Sequence, residues 1–280
     1  VGGDIRGGSG IDTGRIVAAT TIKSASIGGS IIGGTGDFSG GLVAFEGAGS
    51  VRIRRDILGS GGQESGLVFV GSLAGLKIGG SVLGGPGANS AGVEVYGEMG
   101  KVTIGGDLAG GSGPGSGLVA MFNEDFAMKG ITIKGSLLGG SGVESGQIIS
   151  SHQIGAVNIG RDVIGGSGEL SAYVVADGGD DPMIGALRVG GSIIGYNGTV
   201  GDRGDDGALL ESGRIGSVKI GGSIIGGVEQ DSAEIYAWME LGPVSVGGSI
   251  VGGAGEFSGT VFSDGMMGAV KSRGAIRGGS

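Results

Sequence analysis

Of the chain's 280 residues 75 are glycine, yet 39% are hydrophobic and the strict Gly-X-Y spacing of collagen is missing, so neither a triple helix nor a disordered linker accounts for it. A net charge of −9 at pH 7, with no cluster of Lys and Arg, argues against nucleic acid and anionic membranes as partners. The absence of cysteine removes disulfides and thiolate metal sites, and a single histidine removes a multi-histidine centre.

No apolar run approaches the roughly 20 residues of a membrane helix, so direct membrane insertion is not expected. The chain opens at Val1 with neither Met nor a leader, and residues 1–280 read as one domain, an internal fragment of a longer repeat protein.

From the N-terminus onward one phrase returns, seen most plainly as Val218-Lys219-Ile220-Gly221-Gly222-Ser223-Ile224-Ile225. Its copies start at Val1, Ile27, Ile53, Ile78, Ile104, Ile133, Ile159, Val189, Ile220 and Val246, with a degenerate start at Ser272 and spacings of 25 to 31 residues. So regular a period over the full length is the signature of a solenoid. In each unit a "V-x-I" strand comes before a Gly pair and alternates inward and outward side chains. A second short strand, "S-I-I" or a relative, follows the pair. A third strand begins after a recurring Ser, with inward aliphatics Leu42, Val68, Val93, Val119, Ile148, Val174, Ile235 and Val261.

The glycines leave no stretch able to hold a long helix. The expected fold is therefore all-β: a parallel β-helix, right-handed in the expected sense, of about ten coils with three short strands each. At about 4.8 Å per coil it would form a rod near 50 Å long. Equivalent residues of successive coils would lie one above another. The residue after the Gly pair tests this stacking: it reads Asp4, Ser30, Asp56, Ser81, Asp107, Ser136, Asp162 and Ser192, so carboxylates never occupy neighbouring tiers. Separation of like charge and duplication in two-coil units both account for the alternation.

Several columns and loops are candidates for function. The outward residue of the first strand forms a polar, mildly basic stripe that includes Arg52, Lys77, Arg188, Lys219 and Lys271 and suits either acidic glycans or plain solvent. Around the third strand lie Phe45, Phe69, Tyr96, Phe122, Tyr173, Tyr236, Trp238 and Phe262. Outward rings there would need a cover, and Phe69, Tyr96, Tyr173, Tyr236, Trp238 and Phe262 are the expected binding set; a slip of one residue would instead turn some of them into core.

Longer units place the loops 122–130 and 176–182, with 150–153 between them, at one corner, which brings Glu124, Asp125, His152, Asp177, Asp180 and Asp181 toward one edge. No resident cofactor is expected; the cation such a loop would take is Ca²⁺, on Asp177, Asp180 and Asp181, although the spacing matches no defined calcium loop. The same carboxylates, with Glu124 and Asp125, could serve as acid and base beside a sugar. Residues 111–117 lack the Lys-Ser/Thr ending of a phosphate loop and read as a turn. Asn197-Gly198-Thr199 has the form of a glycosylation sequon, and Arg203-Gly204-Asp205 reads as an exposed loop.

The recurring unit V-x-I-G-G-S/D-I-I-G-G-x-G-x-x-S-G-x-V resembles the glycine-rich β-strand-repeat regions of large bacterial surface and secreted proteins, such as those of planctomycetes. It is more distantly similar to autotransporter and haemagglutinin-type β-helix passengers. The likeness spans all 280 residues but is one of repeat style, and it carries no catalytic motif. It implies export to the bacterial cell surface or beyond, and a role as stalk, adhesin or coat. The expected function is a non-catalytic structural or adhesive rod whose partner is a glycan, another surface protein or, by lateral self-association, another rod. The alternative is a carbohydrate-active β-helix enzyme, a lyase or hydrolase using the loop carboxylates.

Overall fold

The computed structural model describes residues 1–196 and 207–279; the sequon at Asn197 and the Arg203-Gly204-Asp205 tripeptide lie outside them. The described residues are all-β with no helix, and parallel strands stack as a β-solenoid of about ten turns. The second strands, two residues each from Ile5–Arg6 to Ile276–Arg277, form one sheet of eleven strands. First and third strands share a second sheet of 21 strands that bends around the rod.

Vertical registry holds as the period requires. Ile104 pairs with Ile78 on one side and Ile133 on the other, and all three are fully buried. The inward third-strand column is buried from Leu42 to Ile235, and Val261 near the end is half-buried. In the longest unit, where no recurring Ser marks the position, Leu210 fills that column, paired with Val174 and Ile235.

The recurring Ser closes the corner before the third strand. Ser116 Oγ accepts from the Gly111 N–H at 2.9 Å and donates to the Gly113 carbonyl at 2.7 Å, both inside the buried corner. Ser39 and Ser232 make the same pair of bonds. A buried hydroxyl with both roles used is why Ser returns at this place.

The alternating Asp/Ser column has a purpose that neither charge separation nor duplication supplies. Each side chain accepts the backbone N–H of its counterpart one tier on. Asp4, Asp56, Asp107 and Asp162 accept from Ser30, Ser81, Ser136 and Ser192 at 2.7 to 2.8 Å. Ser30, Ser81, Ser136, Ser192, Ser223 and Ser249 accept from the next tier at 3.0 to 3.4 Å. Carboxylates take the shorter bonds, as charge-assisted acceptors do. At the first tier the Ser30 N–H holds the Asp4 carboxyl below the ordinary carboxylate range.

The second glycine of the pair makes room for this acceptor: a Cβ on Gly135 would lie 2.0 Å from Asp107 Oδ1. Arg55 and Arg161 occupy the same place, each above a Ser and never above an Asp. Those two Ser bonds are the longest of the series, at 3.2 and 3.4 Å. Asp107→Ala should therefore cost about 1 to 3 kcal/mol by orphaning the Ser136 N–H, while Asp107→Ser should keep most of the stability. Urea midpoints check this, and equal losses in the two variants would refute the acceptor role.

Candidate functional site: an aromatic-edged, acidic third-strand face

Third strands present two outward columns. One contains Val43, Phe69, Glu94, Ala120, Ile149, Val175, Glu211, Tyr236 and Phe262, in register along the rod. Phe45, Gly71, Tyr96 and Phe122 follow two residues later on their strands, where alternation again points outward. At the tier of Gly71 the ring is missing, and Phe69 fills the gap from the adjacent column, its centroid 6.3 Å from Phe45 and 5.2 Å from Tyr96. Tyr96 and Phe122 continue the ladder at 5.4 Å. Phe45, Tyr96 and Phe122 remain 58%, 48% and 38% exposed, so these rings are outward and not core.

A second aromatic group sits near the C-terminal end. Tyr236 stacks on Phe262 with centroids 5.5 Å apart, and Trp238 lies 6.2 Å from Tyr236. The Tyr236 hydroxyl donates to the Asp264 carboxylate, and this bond above all pushes the phenol up to about 12. What reads as one column is thus two ladders, N-terminal and C-terminal.

Tyr173, between them, is covered: only 9% of it is exposed. It stays on the outer side of the sheet, in a small apolar cluster with Val175, Leu209 and the half-buried Leu170. Its hydroxyl donates to Glu211, whose carboxyl is raised by burial in spite of that bond. Tyr173 therefore supports the face from below and does not present a ring to a partner.

A ridge that the repeat pattern did not reveal runs beside these columns. The residue before each recurring Ser often has a left-handed backbone, as at Phe38 (φ 55°), Glu64 (φ 50°), Asp231 (φ 50°) and Phe257 (φ 52°). Bulky Phe in that conformation is unusual, and its repetition one place before the Ser was the available signal. The ridge and the aromatic edge enclose two clefts. The N-terminal one, about 170 Å³, is lined by Arg15, Phe38, Phe45, Glu64, Leu67 and Phe69. The C-terminal one, about 260 Å³, is lined by Glu211, Asp231, Glu234, Tyr236, Phe257 and Phe262.

Glu94, in register with Phe69, is the most perturbed group of the face. It is 6% exposed, and its carboxyl makes no hydrogen bond among the described residues. Desolvation first, and the nearby Glu64 charge second, push it up to about 7.

The acidic loops do share a corner. A Cβ on Gly179 would lie 2.7 Å from His152 Nδ1 and 3.7 Å from the Glu124 carbonyl. Asp181 is engaged by Arg214 at 3.1 Å, a cation that the spacing of the loops did not place there. The Asn123 side chain accepts the Asp125 backbone N–H in a tight turn, and Glu124, Asp125, Asp177 and Asp180 are exposed. Among the described residues no group of three or more His, Asp or Glu side chains is arranged to hold a cation.

No protein-family model matches the chain, and neither a curated protein nor a solved structure is significantly similar to it.

Proposed function

We propose that this chain is a non-catalytic rod of a bacterial cell-surface or secreted protein, and that its third-strand face binds a glycan or another surface protein. The observation that supports this reading is the exposed aromatic ladder from Phe45 to Phe122, together with the separate C-terminal group of Tyr236, Trp238 and Phe262. Large rings left in water on one face reduce solubility unless a partner covers them. The repeat style supports the extracellular placement.

The test is a glycan array probed with the purified chain, alongside pull-down from cell-envelope fractions. Tyr236→Ala with Trp238→Ala should lose most of the retained signal while the thermal melt stays within a few degrees, because neither side chain belongs to the main core and Tyr236 only flanks the small Tyr173 cluster. Retention equal to wild type would remove the aromatic face from the reading.

A second reading, a carbohydrate-active enzyme, is favoured by Glu94 rather than by the loop carboxylates. A desolvated carboxyl held near 7 beside a second carboxylate has the protonation a general acid needs. Release of reducing ends or unsaturated products from a polysaccharide panel, abolished in Glu94→Gln, would establish it, and no release from any member would dismiss it.

A further inference from the structure

Charge is sorted across the rod's cross-section. The ten strands that carry the V-x-I phrase, from Thr21–Ile27 to Val270–Ser272, contain lysine and arginine but no aspartate or glutamate. The third-strand face and its ridge hold Glu64, Glu94, Glu211, Asp231 and Glu234, with Arg15 a cation at its N-terminal end. Two pairs of cations on the basic face sit in register on adjacent tiers: Arg52 with Lys77, and Arg188 with Lys219. None of the four is in an ion pair among the described residues.

Like charges directly opposite one another across neighbouring strands are destabilising. An outside anion would relieve both pairs. Arg188 and Lys219 also border a broad, shallow depression of about 510 Å³ floored by neutral backbone and by Thr132 and Asn158. On the third-strand face, the C-terminal cleft joins three carboxyl groups to the rings of Tyr236, Phe257 and Phe262, and no Lys or Arg lines it. Carboxylates beside aromatic faces are the surroundings that guanidinium and ammonium groups seek.

We propose that the occupant of this cleft is a second copy of the chain, which docks its basic face, through Arg188 and Lys219, against the acidic aromatic face of its neighbour. This rests on the reading of the third-strand face as a partner surface and names the partner. Complementary charge lies on two different faces of one molecule, so the contact is heterologous and each rod keeps a free face of each kind. Association then builds a lateral layer or ring of rods instead of a two-fold dimer, because a heterologous contact pairs unlike faces. A second copy fits better than an irregular partner because its charges recur with the same tier spacing as the groups they meet. Charge at such a contact governs partner choice and salt dependence as much as affinity.

Sedimentation equilibrium over a range of concentrations tests the proposal. The wild-type chain should show concentration-dependent species larger than monomer, diminished by molar salt. Arg188→Glu with Lys219→Glu should weaken association by about tenfold or more, and so should the conservative Glu211→Gln with Asp231→Asn. Circular dichroism melts show that each variant is folded. A wild-type chain monomeric at every concentration, or reversal variants that associate as well as wild type, overturns the proposal. A monomeric chain that binds dextran sulfate, and loses that binding in Arg188→Glu with Lys219→Glu, assigns the basic face to a polyanion instead. Glycan retention in the basic-face variants separates this test from the preceding reading: retention kept while association is lost leaves glycan binding standing without the assembly, and the reverse leaves the assembly without glycan binding.

Discussion

Glu94→Gln should stabilise the protein relative to wild type by an amount that grows with pH and levels off at about 3 kcal/mol. Glu94 lies on the third-strand face between Phe69 and Ala120, and Leu67 from the tier before reaches over Gly92, 2.8 Å from where a Cβ would stand. The carboxyl folds back toward the same glycine, its Oε1 3.4 Å from that position, so water is largely excluded from it. Burial penalises the charged form, and Glu64 adds to the penalty, which raises the group from 4.5 to about 7.

The sign follows from linkage. In the unfolded chain the group ionises near 4.5, while the folded chain holds its proton until about 7. Below the lower value both states are protonated and the shift costs nothing. Between the two values the unfolded state gains by ionising, so folding stability falls as pH rises through the folded value, and above it the full penalty remains. Gln does not titrate and removes this slope. Urea unfolding of both proteins from pH 4 to pH 9 reads the difference directly. Parallel curves for wild type and variant would mean that Glu94 is solvated, and the covered floor of this face would have to be abandoned.

How much of this was legible in the sequence depends on whether a property repeats. The core column Ile78, Ile104, Ile133 was readable because each tier must fill the same space, and β-branched residues returning every 26 positions suit a solenoid and little else. The outward ladder of Phe45, Tyr96 and Phe122 followed from strand alternation, but its filling by Phe69 at the Gly71 tier depends on ring packing between columns, which spacing does not encode. Tyr173 lies two residues before the Val175 position of the aromatic column and is covered, because Leu170 on the ridge and Leu209 on the next tier pack over it. The Asp/Ser column was visible as an alternation, whereas its role depends on the direction in which an oxygen points relative to the next tier's N–H. Asp181 reads as a free carboxylate in the sequence because Arg214 comes from the following coil, beyond a stretch whose length hides the period.

Ile104→Ala should cost about 2 to 5 kcal/mol, the usual range for emptying a fully buried aliphatic site. Ile104 is completely buried and stacks between Ile78 and Ile133, both held in place by their own ladder bonds, so neither neighbour can move in to close the cavity. A solenoid couples each coil chiefly to the coils on either side, so the damage should be local in space. Hydrogen exchange should lose protection along Met99–Ile104 and the paired strands Leu73–Ile78 and Ala127–Ile133, while Val218–Ile220 stays protected. Ile276 provides the control: it belongs to the second-strand stack but is 72% exposed, so Ile276→Ala should stay within about 0.5 kcal/mol. Equal losses at the two positions, or protection lost evenly along the whole rod, would show that burial between tiers is not what holds the coils together.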